Sequence, residues 1–296
     1  LKNSGSITLG SNSVGVYNVG ASSETENIGI ITLGNNSTGL YQNNGTNIIN
    51  NGTINGTGTG AVGIYTDSNT GIINNTALID LQGDKSIGIY AMGSTQNIIN
   101  SGTIKLGNSS LMNDPSIGIY TNNTTDTIIN TGNIEAGSRS LGIYSLGTQV
   151  DHVSGTIKAG SEGTGIYKDT GLLRIHSGAV IEALAGEAAG LYGINGAGIT
   201  ADSGAIFNIG YGSYGIIAES GATLLNSAAI TLGDNSIFTY GNNSGGIVNN
   251  GAVNITGSDN TAFYMVKGGS IINNANITGT AGTGNIGIYN RGVFTT

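Results

Sequence analysis

The chain has no cysteine, no tryptophan and one proline in 296 residues. Without cysteine there are no disulfides and no thiolate metal sites. This does not fix a compartment, because long extracellular solenoids are stable without disulfides. Charge is scarce as well: 9% of residues are charged, against roughly 25% in an ordinary globular protein. Positive charge is the scarcer sign, with nine basic residues against seventeen acidic ones. No basic patch exists to neutralise phosphates, which argues against nucleic-acid binding. No apolar run approaches the ~20 residues that span a bilayer. The chain opens at Leu1 with no signal-like segment, so it reads as a fragment or processed piece of a longer protein.

What is present is glycine, 53 residues of it, and asparagine, together with isoleucine-rich apolar content of 38%. That hydrophobicity argues against disorder. Glycine and asparagine favour tight turns and left-handed backbone, so a turn-rich all-β protein is expected.

The pentapeptide SIGIY occurs at 86–90 and again at 116–120, and Gly-Ile-Tyr variants recur throughout. Aligned on the tyrosine, the positions are Tyr17, Tyr41, Tyr65, Tyr90, Tyr120, Tyr144, Tyr167, Tyr192, Ile217 as a substitute, Tyr240, Tyr264 and Tyr289. Successive steps are 23–25 residues, with one of 30. Tyr211 and Tyr214 alone fall outside this register. A second landmark, Asn-x-Gly-x-Ile, keeps the same period, with first residues at 3, 27, 50, 74, 100, 130, 153, 176, 202, 226, 249 and 273. Asn50, Asn74, Asn100 and Asn130 exemplify it, and Val153, His176 and Asp202 are the exceptions. Four positions on, every coil has Ile, Val or Leu, including Leu78 and Val180. Two positions before the tyrosine site the residue is Gly except at Phe238 and Ala262. A third apolar element, such as Ile98-Ile99, precedes the asparagine.

Each unit therefore has three short β-segments separated by polar turns, and none has the apolar period of a helix. Three strands in about 24 residues, repeated along the whole chain, predict one coil each of a right-handed parallel β-helix of about 12 coils. A hexapeptide helix would show a six-residue sub-period, and a leucine-rich repeat a Leu frame and a helical segment; neither is visible. At ~4.8 Å per coil the rod would be on the order of 50 Å long. The aliphatic column would be the core, and stacked asparagines would bond from coil to coil.

Units of SxGIY followed by INxGTI resemble the passenger regions of large autotransporter (type V) adhesins of Gram-negative bacteria. The resemblance covers the whole chain. It implies display on the cell surface, anchored in the outer membrane by a translocator barrel that lies outside these residues. It also implies attachment to a glycan or protein receptor on host cells or other bacteria. No cofactor or metal is expected, and the absence of cysteine suits export through that barrel.

Several constellations stand out from the repeat. The tyrosine column is either an outward aromatic ladder able to stack on sugar rings or a packed structural stripe. In the least regular coils, Asp151 and Arg174 share one column and His176 and Asp202 another. At ladder spacing Asp151 would pair with Arg174, and His176 with Asp202. Such a patch could bind a polar glycan group or serve as an acid/base pair, or it could replace a lost Asn ladder by charge pairs. His152 is set aside as merely adjacent to Asp151. Lys105, Glu135 and Lys158 form a column of alternating sign, a surface ladder that pins register. The one long unit inserts about five residues around 108–115, where Leu111, Met112, Asn113 and Asp114 are candidate partner contacts, or a tolerated insertion. Walker, GxSxG, calcium-nonapeptide and His/Cys metal motifs are absent. The expected function is thus a non-catalytic adhesin segment. The alternatives are a stalk carrying a distal tip, or a polysaccharide-acting enzyme whose nearest acid pair is Asp202 and Glu182.

Overall fold

The computed structural model describes residues 1–291 apart from 94–96, 124, 126 and 185. Among the described residues there is no helix. Three parallel sheets of twelve strands each run the length of the molecule, every strand but the first and last of each sheet pairing with its equivalents one coil before and one coil after. One coil is represented by Ile98–Asn100 in the first sheet, Thr103–Leu106 in the second and Ile117–Thr121 in the third. The predicted parallel β-helix, with its twelve coils and three strands per coil, is the fold.

Alternation along each strand puts one face inside. Ile48, Ile73, Ile98 and Ile128 line the interior from the first sheet, Ile54, Ile79, Ile104 and Ile134 from the second, and Ile64, Ile89, Ile119 and Ile143 from the third, each at most 1% exposed. A fully buried side chain of this kind contributes about 1.5–3 kcal/mol. β-Branched residues suit this arrangement, because they pack well on a pleated face.

Glycine two residues before each tyrosine has a specific cause. A Cβ at Gly88 would lie 2.5 Å from the carbonyl oxygen of Gly118 on the next coil and 2.9 Å from Ile104 Cγ2. At Gly88 the third sheet turns so tightly over the second that a side chain would force a shift, whereas Phe238 and Ala262 fill the equivalent position in two other coils.

The register corrects the sequence reading by one residue in several coils. Asn75, not Asn74, pairs with Asn50 and Asn100. Asn74 faces outward with Ile49 and Ile99. The core column runs through Ile79, Ile181 and Phe207 rather than Leu78, Val180 and Ile206. Ile206 is 44% exposed while Phe207 is buried. Since side chains alternate with period two, a slip of one residue turns each to the opposite face.

Candidate functional site

Three features are candidates for function: the charged patch of coils seven to nine and the insertion at 108–115, which break the repeat, and the tyrosine column, which belongs to it.

The charged patch begins with the end of the asparagine ladder. Buried amides bond in series, Asn3 to Asn27 to Asn50 to Asn75 to Asn100 to Asn130, at 2.7–2.9 Å. The next residue in this column is not Val153 but His152. Its ring is fully buried. Nδ1 accepts from the Asn130 side-chain amide at 3.0 Å, and Nε2–H donates to the Val180 carbonyl at 3.1 Å. Burial holds the His152 imidazole below its ordinary pKa, partly offset by the bond to the Val180 carbonyl. Ile175 and Ala201 then take the column as plain core, and the ladder resumes at Asn226, Asn249 and Asn273. The setting aside of His152 is therefore overturned: it is the hinge between a polar and an apolar stretch of the same column. Its alignment with the asparagines was hidden by Val153, which mimics a one-residue offset.

His176 and Asp202, displaced from that column, point outward and do meet Asp151 and Arg174. Arg174 Nε donates to both oxygens of Asp202 at 3.0–3.1 Å, and Nη2 lies 3.0 Å from Oδ2. His176 Nε2 donates to Asp151 Oδ1 at 3.1 Å, and its Nδ1 is 3.6 Å from Asp202 Oδ2. Gln149 closes the other Asp151 oxygen at 2.7 Å. The four predicted residues thus form one cluster, with the pairing corrected: Arg174 stands opposite Asp151 in register but its guanidinium reaches across to Asp202. The hydrogen bond and charge of Asp202 raise the Arg174 pKa further. The carboxylates are compensated within the cluster, and the guanidinium is half-exposed.

The insertion is tied at its base and open at its tip. Ser109 is buried, its hydroxyl accepting from the Ser116 amide at 2.6 Å and bonding Ser140 at 3.1 Å. Asp114 pairs with Lys85 at 2.6 Å, and the Ser110 amide donates to Asp84 at 3.1 Å. Leu111 and Met112 project into solvent, 52% and 65% exposed. Asn113 is exposed beside them.

The tyrosine column faces outward and is half-buried. Rings from Tyr17 to Tyr192 stand in file with centroids 4.8–5.4 Å apart, stacked or, at Tyr65–Tyr90, Tyr120–Tyr144 and Tyr144–Tyr167, tilted, and Tyr240, Tyr264 and Tyr289 continue at 4.7–5.7 Å. Each stacked pair adds about 0.5–1.5 kcal/mol beyond area burial. Burial raises the phenol pKa values of Tyr120, Tyr144 and Tyr167. The column breaks where Ile217 stands between Tyr192 and Tyr240. There the Tyr192 hydroxyl donates to Glu219, and Tyr214 meets Tyr240 edge-on at 6.1 Å. Tyr211 and Tyr214, the two off-register tyrosines, lie beside this break; their position out of period was the only sequence signal for them.

The charge ladder is longer than expected, since Asp80, Lys105, Glu135, Lys158 and Glu182 are successive register partners of alternating sign. Lys105 and Glu135 are 3.5 Å apart. Among the described residues no group of His, Cys, Asp and Glu is placed to hold a metal.

Comparison with protein families, with curated proteins and with solved structures finds no match for this chain.

Proposed function

We propose that this chain is a non-catalytic adhesion segment of a bacterial surface protein, attaching to glycan or protein receptors on host or neighbouring cells. The observation that carries this reading is the lateral surface. The outward tyrosine column is continued on every coil but that of Ile217, on a backbone hydrogen-bonded from end to end. A repeating rigid face offers the same contact again at each coil, and linked weak contacts reach high avidity without any single strong one. The resemblance of the repeat to autotransporter passengers supports the same reading, with outer-membrane anchorage through a barrel outside these residues.

A polysaccharide-acting enzyme is disfavoured by the partners of its candidate acids. Asp202 is engaged by Arg174 and His176, and Glu182 accepts from the Asn208 amide at 3.1 Å. Glu182 lies in a strand of the second sheet, whereas Asp202 lies just after the first-sheet strand that ends at Ala201.

The test is binding of the purified chain to bacterial and epithelial cells and to immobilised glycoproteins, with polysaccharide turnover assayed in parallel. Saturable binding without turnover is expected. Polysaccharide cleavage abolished by Asp202→Asn would overturn the reading, and neither binding nor cleavage would point to a stalk.

A further inference from the structure

At the break in the tyrosine column the surface hollows into a cleft of about 450 Å³ across four consecutive coils. This is within the range of small-molecule sites. Its chemistry comes from Tyr214 and Tyr264 on the third sheet and from Tyr211, Glu187, Asn235 and Asp259 along the turn that leads into it. Within the column the tyrosines cover one another's faces, apart from the outer faces of Tyr17 and Tyr289 at its ends. Tyr211 differs: it is 68% exposed, and among the described residues it is the one tyrosine without a ring neighbour. Among the described residues, Tyr211 is thus the tyrosine with neither face covered by another ring.

The three polar residues share a distinctive backbone. Glu187, Asn235 and Asp259 have φ of 60°, 50° and 56°, in a turn column that also contains Lys85, Arg139 and Glu162. Those other three are paired, Lys85 with Asp114 and Arg139 with Glu162. Among the described residues the side chains of Glu187, Asn235 and Asp259 have no hydrogen-bond or ion-pair partner. Two acceptors and an amide that both donates and accepts are thus held out beside an open ring.

The geometry points to a binding site for a neutral oligosaccharide, laid along the rod axis with a sugar ring on Tyr211 and its hydroxyls shared among Glu187, Asn235 and Asp259. The C–H face of a pyranose matches the negative face of an aromatic ring. Hydroxyls donate to carboxylates and exchange both ways with an amide. No Lys, Arg or His lines the cleft, which disfavours sulfated, phosphorylated or acidic sugars. Length decides against a single cationic group, which aromatic rings and carboxylates would otherwise also suit. Glu187 and Asp259 are three ladder steps apart through Gly212 and Asn235, roughly 14 Å. One ammonium cannot touch both; a chain of sugar rings can.

This inference deepens the adhesive reading and rests on it only for its biological use. The test is titration of the purified chain with neutral di- to tetrasaccharides, an oligolysine peptide as the competing class, and the variants Tyr211→Ala and Asp259→Asn. Asn tolerates the left-handed backbone at 259, and Tyr211 is exposed, so both variants should melt like the parent. Saccharide binding weakened about tenfold or more in each variant, with Tyr17→Ala at the far end unchanged, is the expected result. Saccharide binding indifferent to both substitutions, oligolysine binding in its place, or no binding of either probe would overturn the site. Cell attachment measured on the same variants separates the two claims. Attachment by a parent chain that binds no saccharide leaves the adhesive reading standing and this site refuted. Saccharide binding without attachment to any cell does the reverse.

Discussion

His152 stands where the preceding six coils have asparagine, and it continues their chain of hydrogen bonds only in its neutral form. A proton on Nδ1 would face the Asn130 amide, donor against donor. Burial depresses the folded-state pKa below the ordinary value of 6.5, so the unfolded chain binds this proton more readily. The stability contributed by the neutral ring is complete above about pH 6.5 and is lost as pH falls from there toward the depressed folded value. His152→Asn, restoring the residue type of the ladder, is expected to flatten the fall in denaturation midpoint between pH 8 and pH 5. An unchanged pH profile would show that another group is responsible. Lys168 is the second residue of this kind, fully buried one position after Tyr167, with burial pushing its pKa down to about 8. Its ammonium donates to Ser145 Oγ at 3.1 Å and to the Thr148 carbonyl. Ser145 already donates to that carbonyl at 3.1 Å, so removing the ammonium strands neither group. Lys168→Met, keeping the stem volume, is therefore expected to be neutral or stabilising by about 1–4 kcal/mol, and a clear loss in thermal midpoint would sink this account.

The strand that ends in Gly-Ile-Tyr shows what the sequence discloses and what it conceals. Its period, its glycine and the outward or inward fate of every other residue follow from alternation, and the glycine has a cause that can be challenged. Gly88→Ala would bring a Cβ within 2.5 Å of a backbone oxygen of the next coil. A cost of about 1–3 kcal/mol is expected, read as a lower denaturation midpoint; an alanine tolerated there would mean that the coil can open. Phe238 occupies the same position by filling the interior instead, its ring edge-on to Phe207 at 5.9 Å and to Phe263 at 5.7 Å. What the sequence concealed were the doublets. Asn74-Asn75, Leu78-Ile79, Val180-Ile181 and Ile206-Phe207 each offer two adjacent residues of one character, so a spacing rule chooses either. Only the hydrogen-bonded register tells which one is inside. The same ambiguity hid His152 behind Val153. In the candidate site, the meeting of Asp151, Arg174, His176 and Asp202 was legible from column position, because outward residues on adjacent coils must lie close. Their partners were not, since a long guanidinium reaches past its register neighbour. The cleft beside Tyr211 was illegible for a related reason: it is made by turns of four coils, and no local motif records that.

Across the whole molecule, each coil rests on its neighbours alone, so stability accumulates coil by coil. Every coil advances the rod by one ladder spacing, whatever its contour, and the coil carrying 108–115 therefore spends its extra residues sideways without disturbing the sheets. Under tension this becomes a difference in stored length. A coil of about 24 residues that peels away releases roughly 75 Å of chain, and the coil with the insertion roughly 95 Å, from an extension of ~3.4 Å per residue less the ladder step. Pulling the chain from its two ends in a single-molecule force measurement is expected to give a train of near-equal lengthening steps with one longer step among them. One abrupt extension of the entire chain would show that the coils do not yield singly. If they do, the solenoid is a spring with a finite reserve, able to lengthen under load many times over its resting height before the last coil gives way.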